Sequence, residues 1–178
     1  MPGSVLILFA HPAYHRSRAN RALVAAVRDL EQVTFHDLYE VYPDLMVDVP
    51  REQALLLAHD AVVLQHPFYW YSAPALVKEW LDLVLTHGWA YGEGGTALAG
   101  KTWLTAITSG GSEESYGAHG GNRFSVEDFL RPFEATAHLC NMRWLPPFVL
   151  HASHLASDGE LADAAAKYRA QILALRGG

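Results

Sequence analysis

Ser4–Ala10 reads SVLILFA, an aliphatic and β-branched run with no alternation of polar and apolar residues. A strand of that composition is buried on both faces, as in a parallel sheet covered by helices on either side. The next segments fit that layering. Ser17–Leu30 places apolar residues at Ala19, Leu23, Ala26, Val27 and Leu30, which is helical spacing. Val33–Leu38 reads as a second strand and Arg51–His59 as a helix. Ala61–Gln65 is a further buried strand, which Pro67 stops. Pro74 suits the first turn of a helix running to about Leu85. Lys101–Thr108 is a fourth strand ending at Ser109-Gly110-Gly111, and Ser125–His138 is helical. Phe148–His151 reads as a fifth strand and Glu160–Leu175 as an Ala-rich closing helix. The alternation predicts an α/β fold with a five-stranded parallel sheet and helices on both faces.

A chain of 178 residues is most simply one domain, 1–178, able to bury roughly 70% of its unfolded surface. A composition of 51% hydrophobic and 18% charged residues argues against disorder. No apolar run approaches the ~18 residues of a membrane span. Met1–Ala10 lacks a basic leader and reads as the first strand, not as a signal peptide. The single cysteine, Cys140, has no internal partner, so a cytoplasmic setting is expected. A net charge of −6 speaks against nucleic acid as a partner. The charge is uneven, because His11, His15, Arg16, Arg18 and Arg21 cluster with no acid among them. They form either a solvated helix face or a local anion site, and their place after the first strand favours the site.

The loop after the first strand, His11 to Asn20, has neither GxGxxG nor GxxxxGK[ST], so it is neither a dinucleotide fingerprint nor a P-loop. Ser17 is a candidate N-cap with Asn20 three residues on. A monophosphate fits the free N–H groups of such a helix start, although Ser17 as a plain cap explains the same residues. The loop after the third strand carries four consecutive aromatics, Phe68, Tyr69, Trp70 and Tyr71. Four large rings in a turn are costly unless something flat lies against them. The loop Thr108-Ser109-Gly110-Gly111 leaves backbone N–H groups bare. All three loops fall on the carboxyl edge of the predicted sheet, where open α/β sheets bind ligands. Their combination suits a mononucleotide with a large ring, such as FMN, in a flavodoxin-like sheet of order 2-1-3-4-5.

The same residues carry a resemblance. His11-Pro12, Ser17-x-x-Asn20, Pro67-x-x-Trp70-Tyr71-x-x-Pro74, Lys78-x-Trp80, Gly88-Trp89-Ala90-Tyr91-Gly92, Gly100-Lys101 and Thr108-x-Gly110-Gly111 span most of the chain. In them the chain resembles the NAD(P)H:quinone oxidoreductase family. WYSAPALVKEW, THGWAYGEGGTALAGK and WLPPFVLH look like the ancillary flavoproteins of glutathione-gated potassium efflux systems. The resemblance implies bound FMN, NAD(P)H as hydride donor, a quinone as acceptor and a homodimer. It also implies docking on a membrane potassium efflux transporter. His11, Ser17, Arg18, Ala19 and Asn20 match the segment holding the flavin phosphate and ribityl chain. Pro67, Phe68, Tyr69, Trp70 and Tyr71 match the segment along the ring, and Thr108, Ser109, Gly110 and Gly111 the loop at its polar edge. Tyr116 and His119 fall where the family carries a Tyr/His pair beside the flavin, with a shorter separation here than is usual.

Each residue also has a duller reading. His11 buttressing a strand end explains it as well as a ligand role does. Trp80 and Trp89 read as packing, and Glu79 with Asp82 as a solvated helix face. His138, His151 and His154 lack metal-like spacing, so no metal is expected. The Trp144–Phe148 segment reads as the approach to a strand or as a dimer contact. Arg123 is the candidate for reading a nicotinamide 2′-phosphate. A one-electron carrier is disfavoured by the aromatic and Gly-rich loops, and a serine hydrolase by the absence of a GxSxG elbow.

Overall fold

A computed structural model describes residues 3–177. The strands are β1 (Val5–Phe9), β2 (Val33–Asp37), β3 (Ala61–Pro67), β4 (Thr102–Thr108), β5 (Arg143–Trp144) and β6 (Phe148–Leu150). The helices are α1 (Arg18–Val27), α2 (Leu38–Val41), α3 (Val49–Leu57), α4 (Ala75–Val84), α5 (Val126–Leu139) and α6 (Asp158–Leu175). The sheet runs β2-β1-β3-β4-β5, with β6 also paired to β4, and every pairing is parallel. This is the predicted order 2-1-3-4-5.

Alternation within the strands divides the core in two. Leu6 and Leu8 of β1, Val62 and Leu64 of β3, and Trp103 and Ile107 of β4 face α3, α4 and α5. Val5 and Ile7, Ala61 and Val63, and Leu104 and Ala106 face α1 and α6. Every one of these twelve is at most 2% exposed, so each aliphatic contributes about 1.5–3 kcal/mol of burial where fully enclosed.

The fifth strand position differs in detail. It is filled by two pieces, β5 beside Thr102–Trp103 and β6 beside Ala106–Thr108. Between them stand Pro146 and Pro147, which lack the N–H a ladder needs. The Trp144–Phe148 segment thus bridges two strand fragments.

Helix starts follow their caps. Ser17, Asp48 and Ser125 each accept a backbone N–H from the first turn of α1, α3 and α5. Helix α6 begins two residues before the expected Glu160, because Ser157 and Glu160 form a reciprocal capping box. The short α2 has no counterpart among the expected elements; Asp37 at the end of β2 caps it through the N–H groups of Tyr39 and Glu40.

One buried charge braces the α3–α4 side. Glu52 is fully buried and accepts hydrogen bonds from Tyr42 Oη at 2.6 Å, Trp80 Nε1 at 2.8 Å and His36 Nε2 at 2.8 Å. Burial alone would raise its pKa. Hydrogen bonds from His36, Tyr42 and Trp80, and the charge of His36, reverse this and hold it below the usual carboxylate range.

Because all strands run parallel, the loops after β1, β3, β4 and β6 share one edge of the sheet.

Candidate functional site

The loop after β1 turns through His11 and a 3-10 turn at Tyr14–Arg16 before Ser17 caps α1. His11 is 7% exposed, and its Nδ1 accepts the Ala13 N–H at 3.0 Å, so Nε2 carries the proton. Burial lowers its pKa, the backbone hydrogen bond works against that, and the neighbouring His15 lowers it further. His11 is therefore a neutral N–H donor near pH 7. The Arg18 guanidinium pairs with Asp158 at 2.6 Å and with the Ala156 carbonyl, which fastens the start of α1 to the start of α6.

The loop after β3 is a tight turn. The Phe68 N–H donates to the Thr108 carbonyl at 2.9 Å, and Tyr69 bridges Ser72. Trp70 and Tyr71 hold left-handed backbone angles, φ 50° and 61°, at a cost of about 1 kcal/mol or more each. The turn throws Trp70 outward, 94% exposed. Tyr71 leans the other way, stacked on Phe129 of α5 with ring centroids 4.8 Å apart and donating to Asn122 Oδ1.

The loop after β4 is held from behind. Ser109 is fully buried, and its Oγ lies 2.7 Å from Tyr116 Oη and accepts the Gly111 N–H at 3.1 Å. The segment after β6 closes over it, with the Ser153 N–H donating to the Ser109 carbonyl and the Ala152 N–H to the Gly111 carbonyl.

These loops enclose a cavity of about 470 Å³. Of the predicted residues, His11, Ser17, Arg18, Ala19, Pro67, Phe68, Tyr69, Thr108 and Gly110 line it. Asn20 and Ser109 stand directly behind its wall, buried. Trp70, Tyr71, Gly111, Tyr116 and His119 do not line it. Tyr116 packs against Phe68 and reaches Ser109 Oγ, and His119 is exposed on the late loop. The ring nearest to Tyr116 among the histidines is His151, at 5.6 Å, whose Nδ1 is buried without a hydrogen-bond partner among the described residues. Arg123 is exposed with a left-handed φ of 65°.

Arg16, from the basic cluster that the sequence marks as an anion site, lines the cavity too, and Ala13, Ser153 and His154 do so beyond the marked residues. Ser153 and His154 follow the last strand, and the parallel order alone brings that loop to the same edge.

The two glycines differ. A Cβ on Gly110 would meet only His154 Nδ1, at 3.9 Å, so nothing in the chain itself fills that space. A Cβ on Gly111 would strike Ser115 Oγ at 2.7 Å and Tyr116 at 3.0 Å, so internal packing demands that glycine. The wall thus offers a bare backbone N–H at Gly110, the N–H groups at the start of α1, hydroxyls at Ser17 and Thr108, a neutral imidazole N–H at His11 and the cation of Arg16. That donor set suits an anionic ligand with a polar chain, and Phe68 and Tyr69 supply apolar surface beside it.

Comparison with known proteins agrees with this geometry. The chain is 50% identical over 167 residues to the glutathione-regulated potassium-efflux system ancillary protein KefG of Escherichia coli, covering 94% of this chain and 91% of the relative. The solved structure of general stress protein 14 from Treponema denticola, in complex with FMN, superposes with a TM-score of 0.92 at 43% identity, covering 97% of this chain and 99% of that one. A P. pentosaceus NADPH-quinone reductase superposes with a TM-score of 0.87 at 33% identity, covering 94% and 96%. With residues 3–172 matched to the flavodoxin-like fold family, and with the sheet order and edge cavity described above, the chain belongs to that family.

Proposed function

We propose that the chain is an FMN-dependent NAD(P)H:quinone oxidoreductase. The observation that carries this is the convergence of an anion-suited helix start, an aromatic turn and a bare Gly110 N–H on one cavity of about 470 Å³. That volume lies within the range of small-molecule and cofactor sites, roughly 300–1,000 Å³. The likeness to an FMN complex and to an NADPH-quinone reductase supports the same reading.

FMN, when bound, supplies hydride exchange between NAD(P)H and a quinone in two alternating half-reactions at one place. The protein's residues do the rest. Ser17, the N–H groups at the start of α1 and Arg16 receive the phosphate. His11 donates through Nε2 without bringing a charge. Gly110 offers its N–H at the ring's polar edge; the Gly111 N–H is already given to Ser109 Oγ. Phe68 and Tyr69 keep water from the ring's flank. Proton delivery to the acceptor's oxygen falls to the late loop, where Ser109 fixes Tyr116 and His119 is exposed to an incoming molecule. Trp70, projecting from the lip, is covered in a homodimer, as the aromatic turn needs.

A second role is compatible with the first and is favoured by the 50% identity to KefG: the protein docks as an ancillary subunit on a potassium efflux transporter. No helix among the described residues is long and apolar enough to cross a membrane, so such an association is peripheral.

The test is an absorbance spectrum of the purified protein followed by anaerobic addition of NADPH and then a quinone. Flavin bands that NADPH bleaches and quinone restores support the oxidoreductase. Bound flavin that NADPH leaves oxidised favours the regulatory role. A protein that takes up no FMN refutes the oxidoreductase.

A further inference from the structure

Gln65 is an anomaly in β3. It is fully buried and points to the same face as Ala61 and Val63, among the aliphatics that pack on α1 and α6. A buried amide there costs stability unless both its ends are bonded. Both are. Its Oε1 accepts from the hydroxyl of Tyr168, in the middle of α6, at 2.9 Å. Its Nε2 donates to Asn20 Oδ1 at 3.3 Å. Asn20, 1% exposed, then has both amide hydrogens directed at the site: Nδ2 donates to Ser17 Oγ at 3.1 Å and to Thr108 Oγ1 at 2.9 Å.

The chain of donors runs one way, from α6 through the sheet to the cavity wall. Its end has a consequence. Ser17 Oγ accepts twice, from Asn20 N and from Asn20 Nδ2, each at 3.1 Å. A hydroxyl has two acceptor sites and one proton, so the Ser17 proton is left to point into the cavity it lines. Thr108 Oγ1 accepts once from Asn20, and its proton is free to turn to the cavity it also lines. Were the Asn20 amide turned over, its oxygen would draw both hydroxyl protons inward and present lone pairs to the ligand. An anion would then meet repulsion where it now meets two donors.

We infer that Tyr168 and Gln65 are positioning residues that fix the hydrogen-bond direction of the anion-binding wall from the far side of the sheet. The inference rests on the FMN reading above and goes beyond it, since neither residue touches the cavity. Burial also pushes the Tyr168 phenol well above its ordinary pKa, so it remains a neutral donor across the working pH range.

The experiment measures equilibrium binding of FMN and of riboflavin, which lacks the phosphate, to wild type, Tyr168→Phe, Ser17→Ala and the double variant. The inference expects Tyr168→Phe to raise the FMN Kd about tenfold and leave riboflavin within about twofold, because a hydrogen bond to a charged group is what is lost. It expects a smaller further loss when Tyr168→Phe is added to Ser17→Ala than in wild type, since only the branch through Thr108 then remains. Equal weakening of both flavins, or an unchanged FMN Kd, overturns it and leaves the FMN reading intact. A wild type that binds neither flavin sinks the FMN reading itself.

Discussion

The Tyr116 hydroxyl lies 2.7 Å from Ser109 Oγ, so the late loop holds the end of β4 beside the cavity. Tyr116 thereby shapes the Gly110 wall without lining it. Tyr116→Phe should lower unfolding stability by about 1 kcal/mol, the net value of one hydrogen bond. It should slow turnover modestly and leave the shape of the pH–rate profile as it was. Loss of an ionisation from that profile would instead make Tyr116 a group that reacts with the acceptor.

Gly110 and Gly111 invite a paired substitution. Gly111→Ala drives a methyl into Ser115 and Tyr116, and overpacking of that kind costs about 1–3 kcal/mol in a urea titration. Gly110→Ala meets nothing inside the chain, so stability should hold while FMN affinity falls. If Gly110→Ala binds FMN like wild type, the ring does not lie against that loop.

His66 is fully buried at the end of β3, and burial pushes its pKa down to about 4. Its Nδ1 lies 2.9 Å from the Pro67 carbonyl, and its Nε2 has no partner among the described residues. A histidine with a folded pKa below its unfolded value takes up protons on unfolding. Stability is therefore complete above about pH 6.5 and drains as pH falls toward 4, by an amount on the order of 3 kcal/mol. His11, also lowered by burial, adds in the same direction. His66→Leu should flatten the fall between about pH 6.5 and 4.5, read as denaturation midpoints. Glu52 enters only lower, since its depressed pKa stabilises the fold until pH drops below the usual carboxylate range.

Glu52→Gln keeps the shape but replaces an acceptor-only group by one that carries two donors. One of Tyr42, Trp80 and His36 then faces an N–H, and the variant should lose about 3 kcal/mol. An unchanged midpoint in denaturant would mean that the network relaxes at no cost.

Trp70 offers the reverse case. It is 94% exposed and holds φ 50°, so Trp70→Gly should leave the subunit equally stable or raise its stability by up to about 1 kcal/mol. Sedimentation of wild type and variant then reads whether this ring is covered by a second copy.

Local signals make most of this legible. The uninterrupted run Ser4–Ala10 announces a strand covered on both sides, and β1 is fully buried. Ser17, Ser125 and Pro74 mark helix starts because a cap acts within one turn of the chain. The cavity loops can be found because order along the chain and position along a parallel sheet edge are linked. What escapes depends on residues far apart. Asn20 reads from sequence as a phosphate ligand, yet its amide is spent on Ser17, Thr108 and Gln65, and Gln65 on Tyr168, 103 positions away. Trp70 and Phe68 look alike in sequence; a backbone turn at φ 50° sends one to solvent and leaves the other inside. The break between β5 and β6 is written in Pro146-Pro147, although the sequence pattern shows only the strand on its far side.

That break bears on crowding. At the edge opposite β2 the sheet exposes main-chain donors only in fragments of two and three residues, parted by two prolines. An extended segment from another molecule finds no continuous ladder there to copy. On this edge the chain therefore carries little risk of polymerising strand by strand.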